Sequence, residues 1–191
     1  MKVIAFNGSA RKDGNTAILL KYVLAELDKE GIATELYQLA GKKIHGCIVC
    51  GQCRVKQDRR CAVNDDVANE CIALMDAADG ILIGSPVYFA NMTPETKALI
   101  DRAGYVAMAN GGMLKRKAGA AVVAVRRGGA DHVFNSINQL FLISQMIVPG
   151  SSYWNMGFGR EKGEVENDEE GIRTMQVLGQ NMAWLLKKLK A

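Results

Sequence analysis

Four of the five cysteines lie close together in the chain, as Cys47, Cys50, Cys53 and Cys61. Two residues separate the first cysteine from the second and two the second from the third, whereas seven separate the third from the fourth. Spacers this short let thiolates converge on one small centre, and the C-x2-C-x2-C arrangement is typical of ferredoxin-type sites. The spacing therefore favours a [4Fe–4S] cluster bound by these four cysteines.

The same segment leaves three alternatives to a cluster open. Structural zinc is one, although it more often uses two separated C-x2-C knuckles. A redox-active disulfide between Cys47 and Cys50 is another, and four free thiols without a metal are the third. His45 and His132 are too few and too scattered for a histidine-based metal site. Cys71 falls on a helical pattern, which predicts a small buried apolar residue.

A second group of polar residues follows the first apolar run, in the segment 7–16. Small residues between a strand and a helix leave backbone N–H groups free, and the helix N-terminus adds partial positive charge. Ser9 and Thr16 supply hydroxyls, Asn15 an amide, and Arg11 a bidentate partner for phosphate. These residues predict a phosphate site.

The spacing of the glycines in this loop indicates which class of phosphate ligand it could bind. It matches neither the G-x-x-x-x-G-K-[ST] loop of nucleoside triphosphate sites nor the G-x-G-x-x-G loop of dinucleotide folds. A single terminal phosphate monoester suits it better. The alternative is an ordinary connection in which Ser9 and Thr16 only cap the following helix.

Two further loops follow buried apolar runs. In the second loop, Tyr88 and Phe89 could pack against a flat ring, cover the sheet edge or lie in a subunit contact. In the third loop, Gly128 and Gly129 let the backbone approach a ligand closely and offer N–H donors, or else form a turn before a helix. In a flavin site such donors would contact the pyrimidine edge of the ring.

The elements that position these loops alternate along the chain. Strands are predicted at Val3–Phe6, Ala33–Leu39, Gly80–Ser85, Ala118–Val125 and Ile147–Ser151. Helices are predicted at Thr16–Lys29, Asp66–Ala77, Pro94–Ala103, His132–Met146 and Asn167–Leu189. Strand–helix alternation of this kind indicates an α/β protein with a five-stranded parallel sheet and helices on both faces.

The whole chain has 191 residues, which predicts a single domain over 1–191 with a cysteine-rich loop at 40–64. The formal charge of +4 is too weak to suggest nucleic acid as a partner. No apolar stretch approaches the roughly 20 residues that span a bilayer, so no membrane association is expected. The N-terminus lacks the pattern of a signal peptide. We therefore expect a cytoplasmic protein, whose cysteines are not first interpreted as disulfides.

Taken together, the three loops resemble the NADPH-dependent FMN reductase branch of the flavodoxin-like flavoproteins. The residues that carry the resemblance are Gly8–Arg11 with Gly14–Thr16, then Gly84–Phe89, then Lys97 with Asp101 and Arg102. The resemblance implies a flavodoxin-like doubly wound fold that binds FMN. By match, it assigns the phosphate to Ser9, Arg11, Asn15 and Thr16, the ring to Pro86, Val87, Tyr88, Phe89 and Asn91, and the pyrimidine edge to Gly128 and Gly129.

The cysteine spacing resembles the iron–sulfur flavoproteins, a subgroup of that family with a [4Fe–4S] cluster beside FMN. This implies an FMN oxidoreductase whose cluster passes single electrons to a ferredoxin-like or small-molecule partner. Without a cluster, an NAD(P)H-dependent FMN or quinone reductase is expected. The resemblance also implies a homodimer or homotetramer. A non-enzymatic flavin-binding redox sensor and a zinc-stabilised interaction domain are the hypotheses from other classes.

Overall fold

The computed structural model describes residues 1–190. Its sheet contains five parallel strands in the order β2-β1-β3-β4-β5. The strands are β1 (Lys2–Asn7), β2 (Ala33–Gln38), β3 (Gly80–Pro86), β4 (Ala118–Val125) and β5 (Met156–Phe158). Every residue of β4 is buried, as expected of a central strand covered on both sides. The predicted five-stranded parallel sheet is therefore confirmed.

Helices cover both faces of the sheet. They are α1 (Asn15–Lys29), α2 (Gln52–Lys56), α3 (Ala68–Ala77), α4 (Pro94–Ala109), α5 (Ala130–Ile143) and α6 (Glu169–Lys190). Alternate residues of β1 divide the core, because side chains of a strand point to opposite faces. Ile4 and Phe6 pack with α3, α4 and α5, whereas Val3 and Ala5 pack with α1 and α6. This is the doubly wound arrangement that the sequence predicts.

The fifth strand was predicted in the wrong place. Of the predicted range Ile147–Ser151, only Ile147 pairs with the sheet, through a single bridge to Ala118. Pro149 has no N–H to donate to a sheet ladder, and the chain leaves the sheet there. It returns as Met156–Phe158, beside the carboxyl end of β4. A strand of three residues is too short to leave a periodic signal in the sequence.

The helix predictions differ from the structure mainly at their ends. Thr93 caps α4 as predicted, its Oγ1 accepting a hydrogen bond from the Thr96 N–H at 3.4 Å. That helix continues to Ala109 rather than Ala103, because buried Val106 and Ala107 extend its apolar face. Between 40 and 64 the chain forms only the short helix α2. Within residues 1–190, no helix combines the length and apolar character needed to cross a membrane.

Candidate functional site

A cavity of about 190 Å³ lies at the carboxyl ends of β1, β3 and β4. Its lining residues are Ser9, Arg11, Asn15, Thr16, Pro86, Val87, Tyr88, Ala124, Arg126, Gly159 and Arg160. The structure thus brings together all four residues predicted for the phosphate and three of those predicted for the ring. Phe89, Asn91, Gly128 and Gly129 do not line this cavity.

The first loop is held against the end of β3 by close backbone contact. The Gly8 N–H donates to the Gly84 carbonyl at 2.8 Å. A Cβ on Gly8 would lie 1.9 Å from Thr96 Oγ1, so no larger residue fits this contact. The Ser9 N–H donates to Asn7 Oδ1, and the Arg11 N–H to Ser9 Oγ, each at 3.1 Å. The loop is therefore preorganised by its own side chains.

Neither hydroxyl of the first loop caps the helix that follows. Gly14 is the N-cap residue of α1, and no side-chain hydrogen bond from the described residues caps it. Thr16 is 1% exposed, and its Oγ1 has no hydrogen-bond partner within residues 1–190. Buried hydroxyls without partners are rare in folded proteins. An unpaired hydroxyl at a cavity-lining helix N-terminus is suited to donate to an anionic oxygen.

The cavity also contains residues that the sequence analysis missed. Gly159 and Arg160 follow β5 directly, so placing that strand too early hid them. The Asn15 amide binds this segment: its Nδ2 donates to the Glu161 carbonyl and its Oδ1 accepts from the Gly163 N–H, both at 2.9 Å. In the sequence, a glycine followed by an arginine directly after a short apolar run could have indicated this part of the site. The segment adds a third arginine to the cavity lining, after Arg11 and Arg126.

The second loop ends in a tight turn with strained backbone. Tyr88 and Asn91 exchange two backbone hydrogen bonds, at 2.7 and 3.0 Å. The central residues, Phe89 and Ala90, have φ values of 46° and 61°, in the left-handed region that side chains disfavour. The Phe89 side chain is fully exposed. Strain of this kind concentrates at ligand and partner sites, where surrounding contacts maintain it.

The third loop packs against this turn rather than into the first cavity. Gly129 has a φ of 88° and is the N-cap residue of α5. A Cβ on it would lie 2.9 Å from the Ala90 Cα and 3.1 Å from the Val87 Cγ1. Gly128 and Gly129 line a neighbouring cavity of about 430 Å³ together with Tyr153 and other residues. Gly129 therefore packs against the second loop, and both glycines border the adjacent cavity.

The four clustered cysteines line one separate cavity of about 420 Å³. Cys50 is exposed, and Cys47, Cys53 and Cys61 are partly buried. The other lining residues are Ile48, Val49, Gly51, Arg54, Ala62, Arg102, Tyr105 and Val106. Gly51 and Val49 have positive φ values of 71° and 54°, which turn the chain back within the motif. The structure thus places all four predicted ligands around one space, on the side of α4.

The separation of the sulfurs distinguishes between kinds of metal centre. Within residues 1–190, no three cysteine sulfurs lie within 4.8 Å of one another. Tetrahedral zinc with bonds of about 2.3 Å needs its sulfurs about 3.8 Å apart. A four-iron cluster is larger, and its ligands stand farther from one another. The sulfurs are therefore farther apart than the ligands of one bound zinc ion.

A buried ion pair holds the two ends of the cysteine loop on α4. Arg102 NH1 lies 2.6 Å from Asp66 Oδ2, and both side chains are almost fully buried. Burial alone would raise the pKa of Asp66, but the hydrogen bonds from Arg102 and from the backbone N–H groups of Ala68 and His45, with the charge of Arg102, together lower that pKa. Arg102 also donates to the carbonyls of His45 and Val63, at 3.2 and 2.8 Å. One side chain therefore contacts residues before and after the four cysteines.

One cluster of potential ligands was not expected from the sequence. His45, Asp65 and Asp66 bring ligand atoms within 4.8 Å of one another, although the histidines are scattered in the chain. Both carboxylates already pair with cations, Asp65 with Lys43 and Asp66 with Arg102. These ion pairs neutralise the negative charge that a metal ion would need from the two carboxylates. We therefore interpret His45, Asp65 and Asp66 as residues that stabilise the loop.

Thiol reactivity should separate the fifth cysteine from the other four. Cys71 is fully buried on α3, and burial raises its pKa to about 12. Because only the thiolate reacts, we expect four thiols per chain of metal-free protein to react rapidly with a disulfide reagent. The fifth should react only after denaturation. A stopped-flow thiol count checks this, and five equally fast thiols in the folded protein would contradict it.

Comparison with known proteins agrees with this geometry. Residues 1–161 match the NADPH-dependent FMN reductase family. An iron–sulfur flavoprotein of Methanocaldococcus jannaschii is 39% identical over 197 aligned residues that cover 100% of both chains. An iron–sulfur flavoprotein of Methanosarcina thermophila is 32% identical over 193 residues, covering 100% of this chain and 97% of the relative.

Solved structures show the same fold at low sequence identity. RosB with bound 8-demethyl-8-formylriboflavin-5′-phosphate has a TM-score of 0.80 at 17% identity, over 100% of this chain and 80% of that one. An archaeal flavodoxin has a TM-score of 0.63 at 14% identity, over 98% of this chain and 99% of that one. The chain therefore belongs to the NADPH-dependent FMN reductase family, as an FMN-dependent oxidoreductase of flavodoxin-like fold related to the iron–sulfur flavoproteins.

Proposed function

We propose that this protein is an iron–sulfur flavoprotein that transfers electrons between FMN and an external partner through a [4Fe–4S] cluster. In this proposal, residues 1–191 act as one FMN-binding domain. The observation that carries it is the convergence of Cys47, Cys50, Cys53 and Cys61 on one cavity of a flavodoxin-like fold. FMN supplies one- or two-electron chemistry and a cluster supplies one-electron chemistry, so no side chain need act as acid or base.

The first cavity fits the phosphate of FMN. Thr16 presents a buried hydroxyl that lacks a partner within the described chain, at the N-terminus of α1. Arg11, Arg126 and Arg160 line the same space and supply positive charge. A phosphate monoester would satisfy the hydroxyl and partly neutralise the arginines. We therefore assign the phosphate to the four predicted residues and add Arg126 and Arg160.

The ring of FMN fits beside the second loop. Pro86, Val87 and Tyr88 line the cavity that contains the phosphate residues. Asn91 closes the strained turn through its backbone, and Phe89 projects from the turn into solvent. We assign the first three residues to ring contact and the other two to the shape of the loop. Gly129 packs against that turn, and Gly128 and Gly129 line the adjacent cavity, so we assign them to the pyrimidine edge of the ring.

The cysteine cavity fits a cluster better than zinc. Its volume of about 420 Å³ exceeds what a single ion needs, and no three of its cysteine sulfurs lie within 4.8 Å of one another. Arg102 and Arg54 line the cavity, and positive charge there favours a centre that four thiolates make negative. The donor set of four thiols is the one that a cubane cluster requires.

The surroundings of the cysteine loop suit an electron-transfer partner. Ile48, Val49 and Val55 are exposed apolar residues beside the cavity. The basic residues Arg54, Lys56 and Arg60 are exposed next to them. An apolar centre with a positive rim suits an acidic protein such as a ferredoxin-like carrier. NAD(P)H is the candidate donor to the flavin by family membership.

Exposed aromatic residues favour a homodimer or homotetramer. Phe89 is fully exposed, and Tyr153, Trp154 and Phe158 are each about half exposed. The rings of Tyr153 and Trp154 pack edge to face, with centroids 4.7 Å apart. Aromatic residues are enriched in interface cores. We therefore place a contact between copies near the proposed flavin site.

Cofactor analysis of protein purified without oxygen tests the proposed function. We expect about one FMN and roughly four iron and four acid-labile sulfide per chain, because four cysteines saturate one cubane. NADPH should bleach the flavin absorbance, and a reduced ferredoxin should do the same. Flavin without iron would favour the cluster-free reductase, and zinc without iron would favour a zinc-stabilised loop. Protein that takes up no FMN would overturn the proposal.

A further inference from the structure

The Arg102 side chain is buried beneath the cysteine cavity. It is 1% exposed, lies on α4 and lines that cavity together with Cys61. A guanidinium group has five N–H donors in a fixed plane. NH1 donates to Asp66 and to the His45 carbonyl, and NH2 donates to the Val63 carbonyl. Two of its three nitrogens are therefore committed to the loop.

The remaining nitrogen is left without a partner. Arg102 Nε is buried, and no acceptor within residues 1–190 bonds it. An unpaired N–H of a buried cation is costly, and such groups usually mark an unfilled role. The Cys61 side chain lies beside the guanidinium group. The side chain that carries the free donor therefore lines the same cavity as Cys61, one of the four proposed cluster ligands.

We propose that Arg102 tunes the cluster, its Nε–H donating a hydrogen bond to sulfur at the Cys61 corner and its charge raising the midpoint potential. This rests on the proposed cluster. A reduced cluster carries one more negative charge than an oxidised one, and hydrogen bonds to its sulfurs stabilise that charge. Because Arg102 is buried, salt and water screen its charge poorly. Arg102 is thus a positioning residue for the cluster as well as an anchor of the loop.

The charge of Asp66 allows the proposal to predict shifts of the midpoint potential with opposite signs in two variants. Its carboxylate is paired with Arg102 and fully buried, so it offsets part of the positive charge near the cluster. Removing the arginine should lower the midpoint potential, whereas neutralising the aspartate should raise it. A role limited to anchoring the loop predicts loss of iron for both changes and no shift of opposite sign.

The test is a potentiometric titration, followed by electron paramagnetic resonance, of the anaerobic holoprotein and its variants. For Arg102→Gln we expect the one-electron reduction constant to fall about tenfold, a shift of about 59 mV to more negative potential. Arg102→Lys keeps the charge but lacks the Nε–H donor, so its shift should be smaller. Asp66→Asn should shift the potential to more positive values. Lys97→Gln is the matched control, because it removes a positive charge from the same helix, where Lys97 is exposed and outside the cysteine cavity, and it should leave the potential unchanged.

Iron content separates the possible results. If Arg102→Gln loses its iron, Arg102→Lys and Asp66→Asn decide the matter, since both retain a charged or polar group in the buried pair. Iron-loaded Arg102 variants with the wild-type potential, or an Asp66→Asn potential at or below wild type, would overturn this inference alone. Wild-type protein without iron would overturn the proposed cluster instead.

Discussion

Protein carrying Cys50→Ser should contain FMN but almost no iron. Cys50 lines the cysteine cavity with the other three proposed ligands, and a cubane cluster needs all four thiolates. A serine hydroxyl remains protonated at neutral pH and is a poor ligand for iron. The residues that line the proposed FMN cavity, at the carboxyl ends of β1, β3 and β4, are a separate set, so flavin binding should survive the change. Iron and sulfide assays with an anaerobic absorption spectrum measure the result.

The matched control for this substitution is Cys71→Ser. Cys71 is the fifth cysteine, buried on α3 and outside the cysteine cavity. This control should keep its full iron content, even if the buried hydroxyl lowers stability by about 1–3 kcal/mol. Cys50→Ala should behave like Cys50→Ser. Retention of iron and of the broad visible absorbance in both Cys50 variants would exclude Cys50 as a ligand.

Thr16→Val should weaken FMN binding without weakening the metal-free, flavin-free fold. The Thr16 hydroxyl is buried without a partner in the described chain, so it is available to a phosphate oxygen. A hydrogen bond to a charged group is worth about 1.5–3 kcal/mol. We therefore expect the Kd for FMN to rise roughly 10- to 150-fold. Fluorescence titration of apoprotein with FMN measures this.

The stability of the same variant gives the second readout. An unpaired buried hydroxyl destabilises the fold, so replacing it with a methyl group of similar size should leave Tm unchanged or higher. Ser144→Ala is the control, because Ser144 also has a buried hydroxyl without a partner within residues 1–190 but lies outside the FMN cavity. It should leave the FMN affinity unchanged. An unaltered Kd in Thr16→Val, or a clear loss of apoprotein stability, would contradict the assignment.

Arg11 has a smaller role in the same cavity. It is exposed, and its NH1 donates to the Arg160 carbonyl at 3.3 Å. Arg126 and Arg160 remain when Arg11 is removed, so the positive charge of the cavity is shared among three residues. Since exposed charges are also screened by water and salt, the buried hydroxyl of Thr16 contributes more per group. We therefore expect Arg11→Ala to weaken FMN binding less than Thr16→Val does.

The sequence by itself determined the order of the predicted strands and helices. It also determined which three loops follow buried strands and carry candidate binding residues. Buried strands such as Ala118–Val125 are continuously apolar, and α1 carries apolar residues at helical spacing. These patterns are local, because the spacing of apolar residues within one helix or strand indicates which of its sides faces the core. The ligand spacing of the four cysteines is equally local, since two-residue spacers constrain the chain wherever the loop lies.

Only the tertiary structure decided which residues that are distant in the sequence line the same cavity. Arg160 lines the same cavity as Arg11, 149 residues away, because the three residues of β5 pair with β4. The unpaired Nε of Arg102 and the Thr16 hydroxyl are likewise visible only once every neighbour is in place. Periodicity reports burial but not hydrogen-bond satisfaction, which depends on the three-dimensional position of every donor and acceptor. The sequence thus specified the ligand types, and packing specified their partners.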